Sequence, residues 1–207
     1  MIDRETYLSD PCGTLSIPYY KAVRMTPPAQ LRIVHDRRFD GRVRPDETDT
    51  RYFRLRHALT HIDEPAVPRG CTLRVMTQAD AAQLSRLLSA CWPGDWDQKA
   101  AAILQDAFAY APAQIGLLEG KTLVGCCLGA FDAECREGTI EWLAVHPTYR
   151  GRGVGRAAVN ACLGALREAA TFTTVSGQVE NPTNPLALYR RCGFTGEDIW
   201  HVISPKT

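Results

Sequence analysis

The chain has 207 residues, 45% of them hydrophobic and 23% charged, which is enough apolar material for one good core and too much for a disordered chain. A formal net charge of +1 excludes a global field that would draw the chain to nucleic acid or an anionic membrane, so any anion site must be local. Eight cysteines, at positions 12, 71, 91, 126, 127, 135, 162 and 192, show neither CxxC nor zinc-type spacing, and no signal-like or membrane-spanning apolar run precedes them. These features predict a cytoplasmic chain with reduced, mostly buried thiols, in which Cys126 and Cys127 point to opposite faces of a strand.

In the first seventy residues, proline and charge interrupt every apolar run, as in "SDPCGTLSIPYYK", "MTPPAQ" and "RVRPDETDTR". Residues 1–70 are therefore read as an N-terminal extension without a core of its own. A strand-like piece at Gln30 to Val34 and a turn of helix at Tyr52 to Leu59 dock on the domain downstream, and Asp63 to Gly70 is a linker. From Cys71 onward regular elements emerge. "CTLRVM" is a strand, and Thr77 to Asp80 is a T-x-x-D capping pattern before the helical "AAQLSRLLSACW". A loop, "CWPGDWDQ", leads to a second helix at Lys99 to Ala109. "AQIGLLEGKTLVGCCLGAF" is a hairpin turning at Glu119-Gly120-Lys121, and "GTIEWLAVHP" is a strand ended by Pro147. A helix at Val154 to Ala169, a strand in "FTTVSGQVE", a short helix at Pro185 to Arg191 and a strand in "DIWHVIS" complete the order βααβββαβαβ. This is a mixed α/β domain over residues 71–207.

The stretch "YRGRGVGRAAV", Tyr149 to Val159, packs three glycines and three arginines between a strand and a helix. A dinucleotide fingerprint requires a third glycine where Arg156 stands, and a P-loop requires lysine and a hydroxyl after Gly155. A single copy between apolar elements is also no RGG-type RNA tract. What remains is R-x-x-G-x-G, Arg150 to Gly155, opening a helix. Its backbone N–H groups and helix dipole suit an anion such as a diphosphate, and glycine lets the phosphates come close. Arg150, Arg152 and Arg156 either add phosphate contacts or solvate the turn.

This pattern, together with "VENPTNPLALYRRCGF" about thirty residues on, resembles the GNAT superfamily of acyl-CoA-dependent N-acetyltransferases over roughly Cys71 to Ser204. Asn181 stands eight residues before Tyr189, where the family more often has seven, and Pro185 takes an alanine position, so either Asn181 or Asn184 is the asparagine facing the cofactor. The resemblance implies a GNAT fold with acetyl-CoA as donor, no metal, and a pyrophosphate loop running through Gly151, Gly153, Val154, Gly155 and Arg156. It further implies that "TIEWLAV" splays from the next strand near Ala144 and Val145. Pantetheine then lies along Leu143 and Val145, and the Val145 N–H meets the thioester oxygen. Tyr189 occupies the general-acid position; a phenol with pKa near 10 suits a thiolate leaving group.

For the base, Glu141 is the candidate, and strand alternation puts it on the side of Leu143 and Val145. His146, beside Pro147, is read as structural or solvent-facing. His57 and His61 lack a third ligand for a metal and are read as an exposed turn of helix. Trp92, Asp95 and Trp96 either bind an amine or pack the helix pair. Residues 1–70, with Tyr19, Tyr20 and Arg51 to Arg56 as contributors, are open to covering the acceptor pocket, mediating a homodimer, or both. The expected chemistry is acetyl transfer to a primary amine by direct attack in a ternary complex, with a covalent route through Cys127 or Cys192 less favoured. The rivals are a non-catalytic acyl-CoA sensor and an enzyme acting on a protein N-terminus or lysine.

Overall fold

A computed structural model describes residues 2–110 and 113–206. Their strands form one eight-stranded sheet in the order β1-β8-β2-β7-β6-β5-β4-β3. The strands are β1 (Arg32–His35), β2 (Glu47–His57), β3 (Cys71–Val75), β4 (Gln114–Glu119), β5 (Thr122–Asp132), β6 (Glu137–Val145), β7 (Phe172–Gln178) and β8 (Thr195–Pro205). The helices are α1 (Arg4–Ser9), α2 (Pro11–Thr14), α3 (Tyr19–Arg24), α4 (Ala81–Cys91), α5 (Asp97–Tyr110), α6 (Val154–Leu166) and α7 (Pro185–Arg191). From residue 71 onward this is the expected mixed α/β order. The Thr77 to Asp80 capping box forms as well, with Asp80 also taking a bidentate contact from Arg74.

The extension enters the sheet itself. β2 lies between β7 and β8, antiparallel to both, and β1 borders β8. The helical reading of Tyr52 to Leu59 is corrected accordingly: these residues belong to an eleven-residue strand and the turn just beyond it. Phe53, Arg54, Leu55 and His57 are all buried, because a central strand covered on both faces loses the polar-out alternation that would have betrayed it. His57 is thus a core residue. Its Nδ1 accepts from the Leu59 N–H at 2.9 Å, and its ring packs on Phe194.

Two layers cover the sheet. On one face α6 packs over Cys127, Ile140 and Val175, and α7 brings Tyr189 in against Phe53 and Phe194. On the other face α4 and α5 bury Cys126, Leu128 and Ala144. Cys126 and Cys127 accordingly face opposite layers. Alongside α4 and α5, the extension's Tyr7 and Tyr19 form a smaller core with Cys135 and Phe172.

Beneath this smaller core lies a saturated polar knot. Arg54 and Glu137, 1% and 0% exposed, form an ion pair at 3.3 Å. Arg54 also donates to the Pro11 carbonyl and to Thr174 and Ser176, while Tyr7 and Thr174 donate to the carboxylate. Every partner outside β6 and β7 comes from the extension.

Candidate active site

Strands β6 and β7 run parallel and pair only from Glu137↔Phe172 to Ile140↔Val175. Beyond that point they part. β7 stays paired with β2 as far as Gln178, and β6 stays paired with β5 as far as Val145. A gap therefore opens between Glu141–Val145 and the end of β7, a few residues earlier than the expected divergence at Ala144. The His146 N–H donates to the Val124 carbonyl, so alternation of the antiparallel ladder turns the N–H of Val145 away from β5 and toward the gap. Leu143, two residues back, is turned the same way.

At the open end of the gap stands the glycine loop. Gly151 and Gly153 have φ of +76° and +88°, where a Cβ would strain the backbone; a Cβ on Gly151 would meet nothing. Gly153 is the N-cap of α6 and provides no side-chain cap, and the first turn carries no acid. The first helical bond runs from Ala157 to Gly153, which leaves the N–H groups of Val154, Gly155 and Arg156 without intrahelical partners. At Gly155 the reason for glycine is packing: a Cβ would come within 3.1 Å of Leu188 and 3.4 Å of Val145. The result is an exposed, positively polarised helix end that fits a diphosphate.

The arginines around this loop are committed differently. Arg150 is exposed and its Nε reaches the Val145 carbonyl at 3.3 Å. Arg152 lies over the Tyr149 ring at 5.0 Å. Arg156 is ion-paired with Asp63 of the linker at 2.7 Å. His146 caps the turn between β6 and the loop and bonds Thr148, as befits a structural histidine. At the end of β7, Asn181 accepts from both the N–H and the hydroxyl of Thr183, while Asn184, in the left-handed region, caps α7 at the Ala187 N–H. Both side-chain oxygens thus hold turns.

Tyr189 points inward from α7. It is 5% exposed, and burial pushes its phenol well above the ordinary value. Its neighbours Cys127 and Cys192 are likewise shifted up by burial, Cys192 to about 11, so both rest as thiols.

Glu141 departs from the expectation. Leu128 pairs with Trp142 but Gly129 with Ile140, so Glu141 is the extra residue of a β-bulge. Alternation breaks there. The Glu141 side chain points away from Leu143 and Val145, toward α3, where it accepts from the Tyr20 hydroxyl at 2.8 Å and forms an ion pair with Lys21. Beside it, Trp142 joins Trp92 and Trp96 in a triangle of half-buried rings with centroids 6.0–6.3 Å apart. The sequence points to two of these rings; Trp142 is hidden in an apolar strand. Lys21 gives no signal, because its partner lies 120 residues away. Among the described residues there is no cluster able to hold a metal ion.

Comparison with known proteins agrees with this geometry. The sequence model of the Acetyltransferase (GNAT) family matches residues 81–194. The N-alpha-acetyltransferase RimI of Mycobacterium tuberculosis is 30% identical over 130 residues, covering 59% of this chain and 77% of that protein. A GCN5-related N-acetyltransferase from Sphaerobacter thermophilus shares the fold with a TM-score of 0.65 at 20% identity. The match covers 90% of this chain but only 56% of that one. The ribosomal-protein-S18-alanine N-acetyltransferase of Escherichia coli superposes with a TM-score of 0.51 at 17% identity, over 65% of this chain and 93% of that one. The chain belongs to the GNAT acetyltransferase family.

Proposed function

We propose that this chain is an N-acetyltransferase that moves the acetyl group of acetyl-CoA to the primary amine of a small acceptor by direct attack, with both substrates bound at once. The observation that carries this reading is the parting of β6 and β7 directly beside the bare glycine end of α6. The N–H groups of Val154, Gly155 and Arg156, with about half a positive charge from the helix dipole, hold the diphosphate, and Gly151 and Gly153 admit it. Arg150 and Arg152 supply guanidinium contacts. Leu143 and Val145 line the pantetheine arm, and Asn181 and Asn184 flank it from the β7 side.

Each group has a chemical task that its surroundings allow. Nitrogen attacks the thioester carbon, negative charge grows on its oxygen, and the Val145 N–H stabilises that charge. Tyr189, kept protonated by burial, gives its proton to the departing thiolate. Glu141 takes the proton of the incoming amine from the extension's side of the sheet. The neutral, buried thiols of Cys127 and Cys192 favour direct attack over an acyl-cysteine.

Two of the named relatives are an N-alpha-acetyltransferase and a ribosomal-protein-S18-alanine N-acetyltransferase, but here residues 16–21 cross the acceptor face. The Ser176 hydroxyl of β7 donates to the Ser16 carbonyl, and Tyr20 and Lys21 hold Glu141 of β6. That favours a small amine over a peptide laid in an open groove.

The first test is calorimetric titration with acetyl-CoA, comparing wild type with Gly153→Asp, followed by turnover of simple amines by Tyr189→Phe. Saturable binding lost in Gly153→Asp is expected. Tyr189→Phe should lower kcat by roughly 10²–10⁴ at unchanged acetyl-CoA affinity. Folded wild type that binds no acetyl-CoA refutes the reading, and a Tyr189→Phe variant of unchanged turnover removes Tyr189 from it. Acetyl-CoA binding without turnover of any amine selects the sensor.

A further inference from the structure

Of the four lysines in the sequence, Lys99, Lys121 and Lys206 are exposed, whereas Lys21 is half-buried and ion-paired with Glu141. It reaches that position because residues 16–21 bridge the two lips of the gap, from Ser16 beside Ser176 on β7 to Tyr20 and Lys21 on the bulge of β6. The side chain that holds the candidate base is therefore a primary amine, delivered by the chain itself to the place where an acceptor amine must stand.

We infer that Lys21 is a self-acetylation site, modified in cis from acetyl-CoA; this rests on the acetyltransferase reading above. The Lys21 ammonium passes a proton to Glu141, and the freed Nζ attacks the thioester carbon. A nitrogen–carbon bond forms, the carbon–sulfur bond breaks, and the thiolate leaves as coenzyme A with a proton from Tyr189; the nitrogen's second proton passes through water to the Tyr189 oxygen, and the proton taken by Glu141 is released to solvent. About 13 Å of strand separate Glu141 from Val145 at roughly 3.3 Å per residue. The transfer therefore requires the flexible four-carbon lysine stem to swing from Glu141 along β6 toward Val145. The product is an uncharged amide, which can no longer pair with Glu141. Acetylation thus releases the carboxylate and loosens the bridge over the acceptor face.

The test is to incubate the full chain with isotopically labelled acetyl-CoA over a range of protein concentrations and to follow each lysine by peptide mass mapping. Acetyl-CoA binding and turnover of an added amine are measured on the same preparation. Lys21 is expected to acquire label at least tenfold faster than Lys99, Lys121 and Lys206, at a rate independent of protein concentration, and this excess should be lost in Tyr189→Phe. Labelling of Lys21 at the background rate of the exposed lysines, in a preparation that turns over an added amine, overturns the inference and leaves the acetyltransferase reading standing. Absence of acetyl-CoA binding overturns both. A rate that rises with protein concentration overturns transfer in cis. Lys21→Arg keeps the ion pair and cannot be acetylated in its place, while Lys21→Gln lacks the charge. Several-fold faster amine turnover by Lys21→Gln than by Lys21→Arg is expected, and equal rates would overturn release of Glu141.

Discussion

The two halves of strand β6 make opposite use of the same backbone. From Glu137 to Ile140 it is paired on both sides, and its one charged side chain is sunk in a knot where Arg54, Tyr7 and Thr174 meet the carboxylate. From Glu141 to Val145 it is paired on one side only, beginning with a bulge and ending at an uncapped helix. In the first half the backbone has a strand partner on both edges, and what this produces is stability; in the second the edge toward β7 has no strand partner, and what this produces is a place for a ligand.

The largest effect is expected where the first half is broken. Arg54→Ala leaves Glu137 buried without its counter-charge, and burial already pushes that carboxyl above its ordinary value against the pull of Arg54. A loss of about 3–5 kcal/mol is expected from urea unfolding. The first fifty-seven residues should become protease-sensitive along with it, because Arg54 joins Pro11 and Tyr7 to the sheet. A loss below about 1 kcal/mol would mean that the pair is not what binds the extension to β6 and β7.

Beside the second half, Gly153→Ala should cost about 1–2 kcal/mol through its left-handed backbone alone. It should also weaken acetyl-CoA binding in calorimetry more than it destabilises the fold. Gly155→Ala is the sharper comparison, because its backbone is helical and only Leu188 and Val145 stand in the way of a Cβ. If the two substitutions affected binding equally, contact with α7 rather than the freedom of the loop would explain the glycine spacing.

How much of this is legible in the sequence divides along the same line. Residues 150–155 announce themselves because local backbone requirements are written in local residues: glycine at left-handed positions, then helix formers. Tyr189 sits in a compact local motif, so its place on the short helix Pro185–Arg191 is readable for the same reason. β2 reads as a helical turn because its burial on both faces erases the alternation by which strands are recognised, and its partners β7 and β8 lie more than a hundred residues downstream. Strand alternation puts Glu141 on the wrong face because one bulge residue inverts the parity, and no single-sequence signal marks a bulge without glycine. The Lys21–Glu141 contact is long-range and charge-specific, and nothing near either residue encodes it.

A smaller and opposite effect lies at the outer edge of the sheet. His201 is buried between Asp49, 2.7 Å from Nδ1, and Asp36, 3.1 Å from Nε2, an arrangement that suits the doubly protonated ring. Burial opposes the charge, but the two carboxylates outweigh it and the imidazole pKa is raised. A folded pKa above the unfolded value means this contribution is complete below about pH 6.5 and is lost as pH rises through the raised value. Urea midpoints should therefore fall across that window in wild type and fall less in His201→Phe. Identical slopes would show that the ring is neutral in the fold.

The smallest expected effect decides what Arg156 is for. In the structure it faces Asp63 of the linker rather than the loop it flanks, and it holds that carboxyl below its ordinary value. Both side chains are about half exposed, so the pair is screened and its removal should leave the unfolding midpoint unchanged within error. Asp63→Asn, however, frees a guanidinium one turn into α6. If Arg156 then reaches a phosphate, acetyl-CoA affinity rises a few-fold at low salt, and the gain disappears both at high salt and in the Asp63→Asn/Arg156→Ala double variant. Unchanged affinity in Asp63→Asn would make Arg156 a residue that fastens the linker to α6. The anion site would then be almost wholly backbone.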